Sequence, residues 1–244
     1  AAIAACTLAM AMLALGWHFA LRAAGVSSVV ASAATAYAMS QPAKYLPGNV
    51  LHFASRHMLG RTQGHGHAAL VNASILEAIS LIGVAMVIAA ISHWQELPGM
   101  SAMPSAIPGA WIITLLAVAL LGVGALVRQR TRIGELGWLA MHAACAVSYF
   151  FLTTLAFWLL AESALSTLSP FQLLAPIALS WVGGFVIIGA PGGIGVREAL
   201  LLQFFAGSAP AAGLLAIAIA FRASLIASDF ILFALAWCCG RQRA

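Results

Sequence analysis

Ionisable side chains inside long apolar stretches are the residues of this sequence whose types and spacing suit chemistry. Lys44 and Arg56 flank one short run of Pro and Gly, and Arg197 follows a second such run. An ionisable group deep in an apolar environment costs a few kcal/mol or more unless it is paired or hydrated. We therefore predict a site for an anionic or zwitterionic ligand, built from Lys44, Asn49, His52, Arg56, Glu77, Arg197, Glu198, Arg222 and Asp229.

The two runs of Pro and Gly, at 44–49 and 189–195, are expected to interrupt helices. Pro lacks the N–H that a helix needs and Gly lacks a Cβ, so a run of both ends a helix rather than bending it. The residues that we expect to form these breaks are Pro47, Gly48, Pro191, Gly192, Gly193 and Gly195.

A helix that begins after each break carries unpaired N–H groups and a partial positive charge at its first turn, and both favour phosphate. We expect Asn49 to cap an arm that starts at Val50, and Gly195 to cap an arm that starts at Val196. A phospholipid or a polyprenyl phosphate offers a matching anionic head group.

A second interpretation of the charged positions stays open. Cations in membrane segments also extend to the membrane surface or pair internally for structural reasons. Glu198 fits a helix cap or an ion pair as well as a transport role, and Glu77 fits either a proton-coupling carboxylate or a structural partner. Arg222 and Asp229 would share one side of a helix at a distance of about two turns, and would flank a common polar cavity.

The composition requires lipid as the main solvent of this chain. Of its 244 residues 63% are apolar and 7% are charged, whereas soluble domains carry roughly 25% charged residues. With a mean hydropathy of +1.02, too few polar side chains remain to cover a water-soluble fold. The cations behind the net charge of +5 are too sparse for a nucleic-acid surface, so we expect no nucleic-acid partner.

Hydropathy predicts an all-α integral membrane protein. About five transmembrane helices follow from stretches that approach the roughly 20 residues needed to cross a bilayer, at 1–21, 69–92, 110–127, 137–160 and 211–237. The regions 26–60 and 171–205 contain the two breaks, and the arm after each break spans only about half a bilayer. We expect a re-entrant helical hairpin in each of these two regions.

Lys and Arg in the connections orient these elements, because cytoplasmic connections are enriched in both. With two hairpins in place, every connection that carries Arg falls on one side of the membrane, and the connections without Lys or Arg fall on the other. We expect the basic side and the C-terminus in the cytoplasm, and a multi-pass chain in the inner membrane of a bacterium. Tryptophans near the helix ends are expected at the membrane interfaces: Trp17, Trp94, Trp111, Trp138 and Trp237.

The same topology contains an inverted repeat, because the two hairpins enter from opposite sides. A single domain, 1–244, divides into repeat one at about 1–92, a linker helix at about 110–127 and repeat two at about 137–237. Inverted repeats with interrupted helices at corresponding positions are typical of transporters whose substrate site lies near the middle of the membrane.

Metal ions and cofactors are not expected. His65 and His67 are spaced like a metal-binding pair, but no Cys, Asp or Glu lies near them in the sequence. The four cysteines form no Cys-x-x-Cys pair and are interpreted as small apolar packing residues. Walker loops, nucleophile elbows and zincin motifs are absent from the sequence, so we expect a transporter rather than an enzyme.

Segment 40–50 (SQPAKYLPGNV), followed by Arg56, resembles the first hallmark of the lysylphosphatidylglycerol synthase transmembrane family of flippase-like proteins. Segment 190–199 (APGGIGVREA) resembles the second hallmark. Glu77 and the pair Phe221–Arg222 also fall where the family tends to carry Glu and an aromatic–Arg pair. The resemblance covers most of the chain.

The resemblance implies a membrane unit that moves lipids. In well-known members this unit translocates aminoacylated phosphatidylglycerol, which a separate soluble domain makes. That domain does not follow Ala244, so we do not expect synthase activity, and the family's usual extra first helix suggests residues before Ala1. Shorter relatives resemble stand-alone flippases of lipids or polyprenyl lipids in hopanoid or glycan pathways.

The sequence therefore predicts an ATP-independent flippase for a phospholipid or a polyprenyl-phosphate-linked lipid, to which a proton gradient could contribute. Two alternatives stay open: an intramembrane lipid-modifying transferase, and a non-transporting membrane scaffold of a lipid or glycan pathway. Candidate partners are the membrane lipid itself, further copies of the chain in a homo-oligomer, and enzymes of lipid or glycan biosynthesis.

Overall fold

The computed structural model describes residues 1–46, 50–92, 133–187 and 189–241, and it contains helices and turns but no β-strand in these ranges. Short 3-10 turns follow the second helix at Gln41–Tyr45 and precede the seventh at Pro191–Gly193. The helices, numbered in chain order through the described ranges, are α1 (Ala2–Ala23), α2 (Val30–Ser40), α3 (Leu51–Thr62), α4 (His67–Ile91), α5 (Ile133–Ala161), α6 (Pro170–Val186), α7 (Val196–Phe204) and α8 (Ala211–Arg241).

Four of these helices, α1, α4, α5 and α8, are long and apolar enough to cross a membrane. They match four of the five crossings predicted from hydropathy. The fifth, predicted at 110–127, lies outside the described residues. The structure thus confirms an all-helical protein with several candidate membrane spans.

Exposed apolar side chains and buried ionisable groups both depart from what a water-soluble protein would show. Large apolar side chains are exposed on the long helices, for example Phe151 at 53% and Leu235 at 56%. Arg56 and Asp229, in contrast, are only 1% and 0% exposed. Water would disfavour both arrangements, whereas a hydrocarbon solvent favours apolar surfaces and inward-facing ionisable groups. The chain is therefore a multi-pass membrane protein.

The first break begins earlier than predicted. Helix α2 ends at Ser40 because Pro42 lies in the first turn of the following 3-10 segment and cannot supply an N–H to the helix. The expected arm starting at Val50 with an Asn49 cap was wrong in its boundary. Val50 is itself the N-cap, since its carbonyl accepts the first helical hydrogen bond, from the Phe53 N–H at 3.0 Å. Pro47, Gly48 and Asn49 lie outside the described residues.

The second break matches its prediction closely. Helix α6 ends at Val186, and α7 begins at Val196 with Gly195 as its N-cap. Gly193 has a φ of +77°, and a Cβ placed on it would lie 2.9 Å from the Gly184 carbonyl oxygen on α6. The break therefore needs glycine both for its backbone conformation and for its close approach to α6.

Helix packing follows one pattern in both halves of the chain. Helix α1 packs most extensively against α5, where Gly16 leaves room for the His142 and Cys145 side chains. Helix α2 packs on α1 and α8, and α6 packs on α5 and α4. The two short helices after the breaks, α3 and α7, pack in corresponding ways: α3 packs on α2 and α4, and α7 packs on α6 and α8.

Gly193→Ala should destabilise the protein by roughly 2–4 kcal/mol, because a Cβ at this φ is strained and would overlap the α6 backbone. Equilibrium unfolding in mixed detergent micelles measures the effect. Gly189→Ala is the matched control, since a Cβ on Gly189 meets no atom within 4 Å, and it should change stability by less than about 0.5 kcal/mol. Equal stability of the two variants would contradict the close approach at Gly193.

Candidate functional site

A polar cavity of about 70 Å³ lies between the two helix breaks. Side chains from the first break and from α3 line one part of it, and side chains that follow the second break line another. Six of the nine predicted site residues contribute to this one cavity: Lys44, His52, Arg56, Glu77, Arg197 and Arg222. The structure therefore brings together residues that are up to 178 positions apart along the chain, from Lys44 to Arg222.

Arg56 and Glu77 form a buried two-point ion pair between α3 and α4. Arg56 Nη1 donates to Glu77 Oε1 at 3.1 Å, and Nη2 donates to Oε2 at 2.5 Å. The guanidinium also lies 4.0 Å from the centre of the Trp17 ring and 4.8 Å from that of Tyr37. Both charges are thus satisfied within the protein.

Asp229 on α8 binds the 3-10 turn of the first break. Its Oδ2 lies 2.6 Å from Lys44 Nζ and also accepts a hydrogen bond from the Tyr45 hydroxyl. Its Oδ1 is buried and has no hydrogen-bond partner among the described residues. Asp229 does not line the cavity itself; it determines where the Lys44 ammonium group points.

Arg222 on α8 holds the second break. Its Nη2 donates to the Gly192 carbonyl, and its Nε lies 3.8 Å from Glu198 Oε1. Glu198 Oε2 accepts a hydrogen bond of 2.6 Å from the Gly195 N–H, so this carboxylate caps α7 and faces Arg222 at once. Glu198 lines a smaller neighbouring cavity together with Arg197 and Arg222.

Arg197 is the cation of the site that no described carboxylate neutralises. The site contains four cations and three carboxylates, and each carboxylate faces a different one of the other cations. Arg197 packs in the space left by Gly184, with its guanidinium 5.8 Å from the centre of the Trp181 ring. Its Nε is buried without a hydrogen-bond partner in the described structure. One positive charge and at least one free donor therefore remain in the cavity.

The structure separates residues that the sequence analysis grouped together. Arg56 and Arg197 were both expected to bind the ligand, but Arg56 is committed to Glu77. Arg222 and Asp229 were expected to flank a common polar cavity; Arg222 lines the cavity, whereas Asp229 contacts it through Lys44, and each residue binds a different break. Asn49 lies outside the described residues, so its expected role has no structural counterpart here.

Aromatic side chains are the part of the site that the sequence analysis missed. Tyr45 contacts Asp229, and Trp17, Tyr37 and Phe53 surround the Arg56 guanidinium. Trp17 was assigned to a membrane interface, but it is only 2% exposed. The spacing of Tyr37, Tyr45 and Phe53 around the first break was the available signal. It is not specific, because aromatic residues are common in the cores of all helical proteins.

Arg56→Gln should destabilise the protein by roughly 3–5 kcal/mol, because it leaves the Glu77 carboxylate buried without its cation. The double variant Arg56→Gln/Glu77→Gln should recover most of that loss. Unfolding of the three proteins in the same detergent measures the difference. A single variant as stable as the parent protein would show that the ion pair has no structural role.

No family model, curated protein or solved structure matches this chain.

Proposed function

We propose that the protein is an ATP-independent lipid translocase that binds an anionic or zwitterionic lipid head group between its two helix breaks. The observation that carries this proposal is the uncompensated charge of Arg197 in a cavity within a protein whose outer surface is apolar. Arg197 is half-buried with its Nε fully buried and unbonded, and no described carboxylate lies within ion-pair distance of it, so an anionic ligand would supply a charge-assisted partner.

A phosphate group is the anion that fits best. Arg197 lies in the first turn of the nine-residue helix α7, where the unpaired N–H groups favour negative charge. Its guanidinium offers donors in a planar fork that suits phosphate oxygens. Because the outer faces of the long helices are apolar, the phosphate that reaches this site most directly is that of a membrane lipid. Both a phospholipid and a polyprenyl-phosphate-linked lipid meet this description.

The packing pattern supports an inverted repeat. Exchanging α1 with α5, α2 with α6, α3 with α7 and α4 with α8 converts the packing partners of the first half into those of the second. The ion pairs follow the same exchange with reversed sign: Arg56 on α3 faces Glu77 on α4, whereas Glu198 on α7 faces Arg222 on α8. In this architecture the two broken segments are re-entrant hairpins that enter from opposite sides of a bacterial inner membrane.

Arg197→Gln should reduce lipid movement and lipid affinity about tenfold or more, because it removes a charge-assisted contact with the head group. Stability should change little, since no described carboxylate loses its partner. The assay follows fluorescent phospholipids and a polyprenyl phosphate between the leaflets of proteoliposomes. Arg61→Gln is the matched control, because Arg61 is exposed in the last turn of α3 and donates to the His65 carbonyl.

Wild-type vesicles that move no lipid faster than empty vesicles would overturn the proposed transport. Chemical conversion of the labelled lipid would instead identify a transferase. Equal rates of lipid movement for Arg197→Gln and Arg61→Gln would show that Arg197 does not bind the phosphate, even if the protein still moved lipid.

Cysteine labelling tests the proposed topology. In a variant without the four native cysteines, Gly66→Cys and Ser163→Cys should react from opposite sides of the membrane. Both positions are exposed, the first between α3 and α4 and the second after α5. Reaction of both with an impermeant reagent added outside would contradict two re-entrant hairpins of opposite orientation.

A further inference from the structure

Asp229 differs from the other two carboxylates of the site in the kind of cation that it faces. Glu77 and Glu198 face arginines, whose guanidinium groups stay protonated in proteins. Asp229 faces Lys44 at 2.6 Å, and a lysine ammonium exchanges its partner or its proton much more readily. Among the described ion pairs of the site, this is the one that can be opened without leaving a permanent charge unpaired.

The two oxygens of Asp229 have unequal surroundings. Oδ2 forms the ion pair with Lys44 and accepts the hydrogen bond from the Tyr45 hydroxyl, while Oδ1 is buried without a hydrogen-bond partner in the described residues. When a fully buried carboxylate accepts hydrogen bonds on just one of its oxygens, the other oxygen is free to bind a proton. Both oxygens of Glu77 accept from the permanently charged Arg56, which disfavours a proton on this carboxylate. The proton-coupling role considered for Glu77 therefore suits Asp229 on α8 better.

We propose that Asp229 takes up one proton from solution when an anionic head group binds, and that this proton releases Lys44 from Asp229 to bind the head group. The proposal rests on the lipid-binding function argued above. The proton binds Asp229 Oδ1 and makes the carboxylate neutral. Lys44 keeps its three hydrogens and exchanges the carboxylate for the phosphate oxygen. One anion and one proton enter together, so the net charge of the site is unchanged.

Several other titratable or charged groups surround this pair. Arg222 on α8 and Arg197 on α7 stay protonated. Cys6 on α1, Tyr37 on α2, Tyr45 in the 3-10 turn and Tyr149 on α5 also lie near it, but thiols and phenols are uncharged near neutral pH. His52 on α3 lines the same cavity and lies near Lys44, and histidine titrates in this range. Asp229→Asn leaves His52 in place, so a pH dependence that persists in this variant belongs to His52 and contradicts the role of Asp229.

Linkage gives the direction of the pH dependence. If proton binding favours anion binding, then anion binding favours proton binding by the same factor. Lowering the pH protonates Asp229, frees the Lys44 cation and should tighten the binding of an anionic lipid. Raising the pH restores the Asp229–Lys44 contact and should weaken the binding of the anionic lipid.

The test measures the affinity of dioctanoyl phosphatidylglycerol for the detergent-solubilised full chain between about pH 5 and about pH 8. The wild-type protein should bind about tenfold more tightly at the acidic end, the value of one charge-assisted contact. Asp229→Asn mimics the protonated state and should bind tightly at every pH. Glu162→Gln is the matched control, because this exposed carboxylate lies outside the site, and it should behave like the wild-type protein.

Infrared spectroscopy supplies a readout that a structural defect cannot imitate. Adding the lipid at neutral pH should produce in wild-type protein a carboxylic-acid C=O stretching band that shifts in deuterated water, unlike the ester bands of the lipid, and this shifting band should be missing in Asp229→Asn. Lipid binding with the same pH dependence in both proteins, or without this band, would overturn the proton coupling and leave the lipid site intact. Absence of binding at every pH in both proteins would overturn both proposals.

Discussion

The pairing of buried charge within the protein is the constraint on which the rest of this structure depends. A carboxylate inside a hydrocarbon-solvated bundle must find its cation within the protein, and each of the three carboxylates of the site does so across a different contact. Glu77 joins α4 to α3, Asp229 joins α8 to the first break, and Glu198 caps α7 while it faces α8. These contacts hold the short arms against the long helices. Arg197 is the cation of the site that takes no part in them, and for this reason it is the residue on which the proposed binding of an anion rests.

The two halves share a packing scheme but differ in chemistry. Around the first break, Arg56 is enclosed by Glu77 and by the rings of Trp17, Tyr37 and Phe53. Around the second, the Arg197 guanidinium lies near the more distant Trp181 ring and packs on Gly184, and no described carboxylate lies within ion-pair distance of it. The pairs Arg56–Glu77 and Glu198–Arg222 are each neutral within their own half and have the reversed order of charge, whereas Lys44 pairs with Asp229 across the two halves. Similar packing in the two halves is therefore combined with different surroundings of the charged residues.

Much of the fold followed from the sequence because hydropathy and helix breakers act locally. The helices α1, α4, α5 and α8 are long apolar runs, and Gly195 is an N-cap because few other residues tolerate its φ of +85°. Part of the candidate site could also be predicted from the sequence, because ionisable residues in apolar runs are rare, and Arg197 and Asp229 are two of them. Pairing could not be predicted in the same way. Whether Arg56 binds a ligand or Glu77 depends on the distance between α3 and α4, which no local pattern encodes. The α3 boundary failed for a related reason: Val50 has no capping side chain, and only its carbonyl marks the start of the helix.

The Tyr45 ring and the Gly192 backbone lie so close that a Cβ on Gly192 would come within 3.0 Å of the ring. Tyr45 belongs to the first break and Gly192 to the second, so the two interruptions of the bundle touch each other directly. Arg222 reinforces this contact, because it bonds the Gly192 carbonyl and its guanidinium lies 5.9 Å from the centre of the Tyr45 ring. Neither break can then shift far without displacing the other. Direct contact therefore couples two segments that lie 147 positions apart in the sequence, from Tyr45 to Gly192, so that the conformation of one break constrains the conformation of the other.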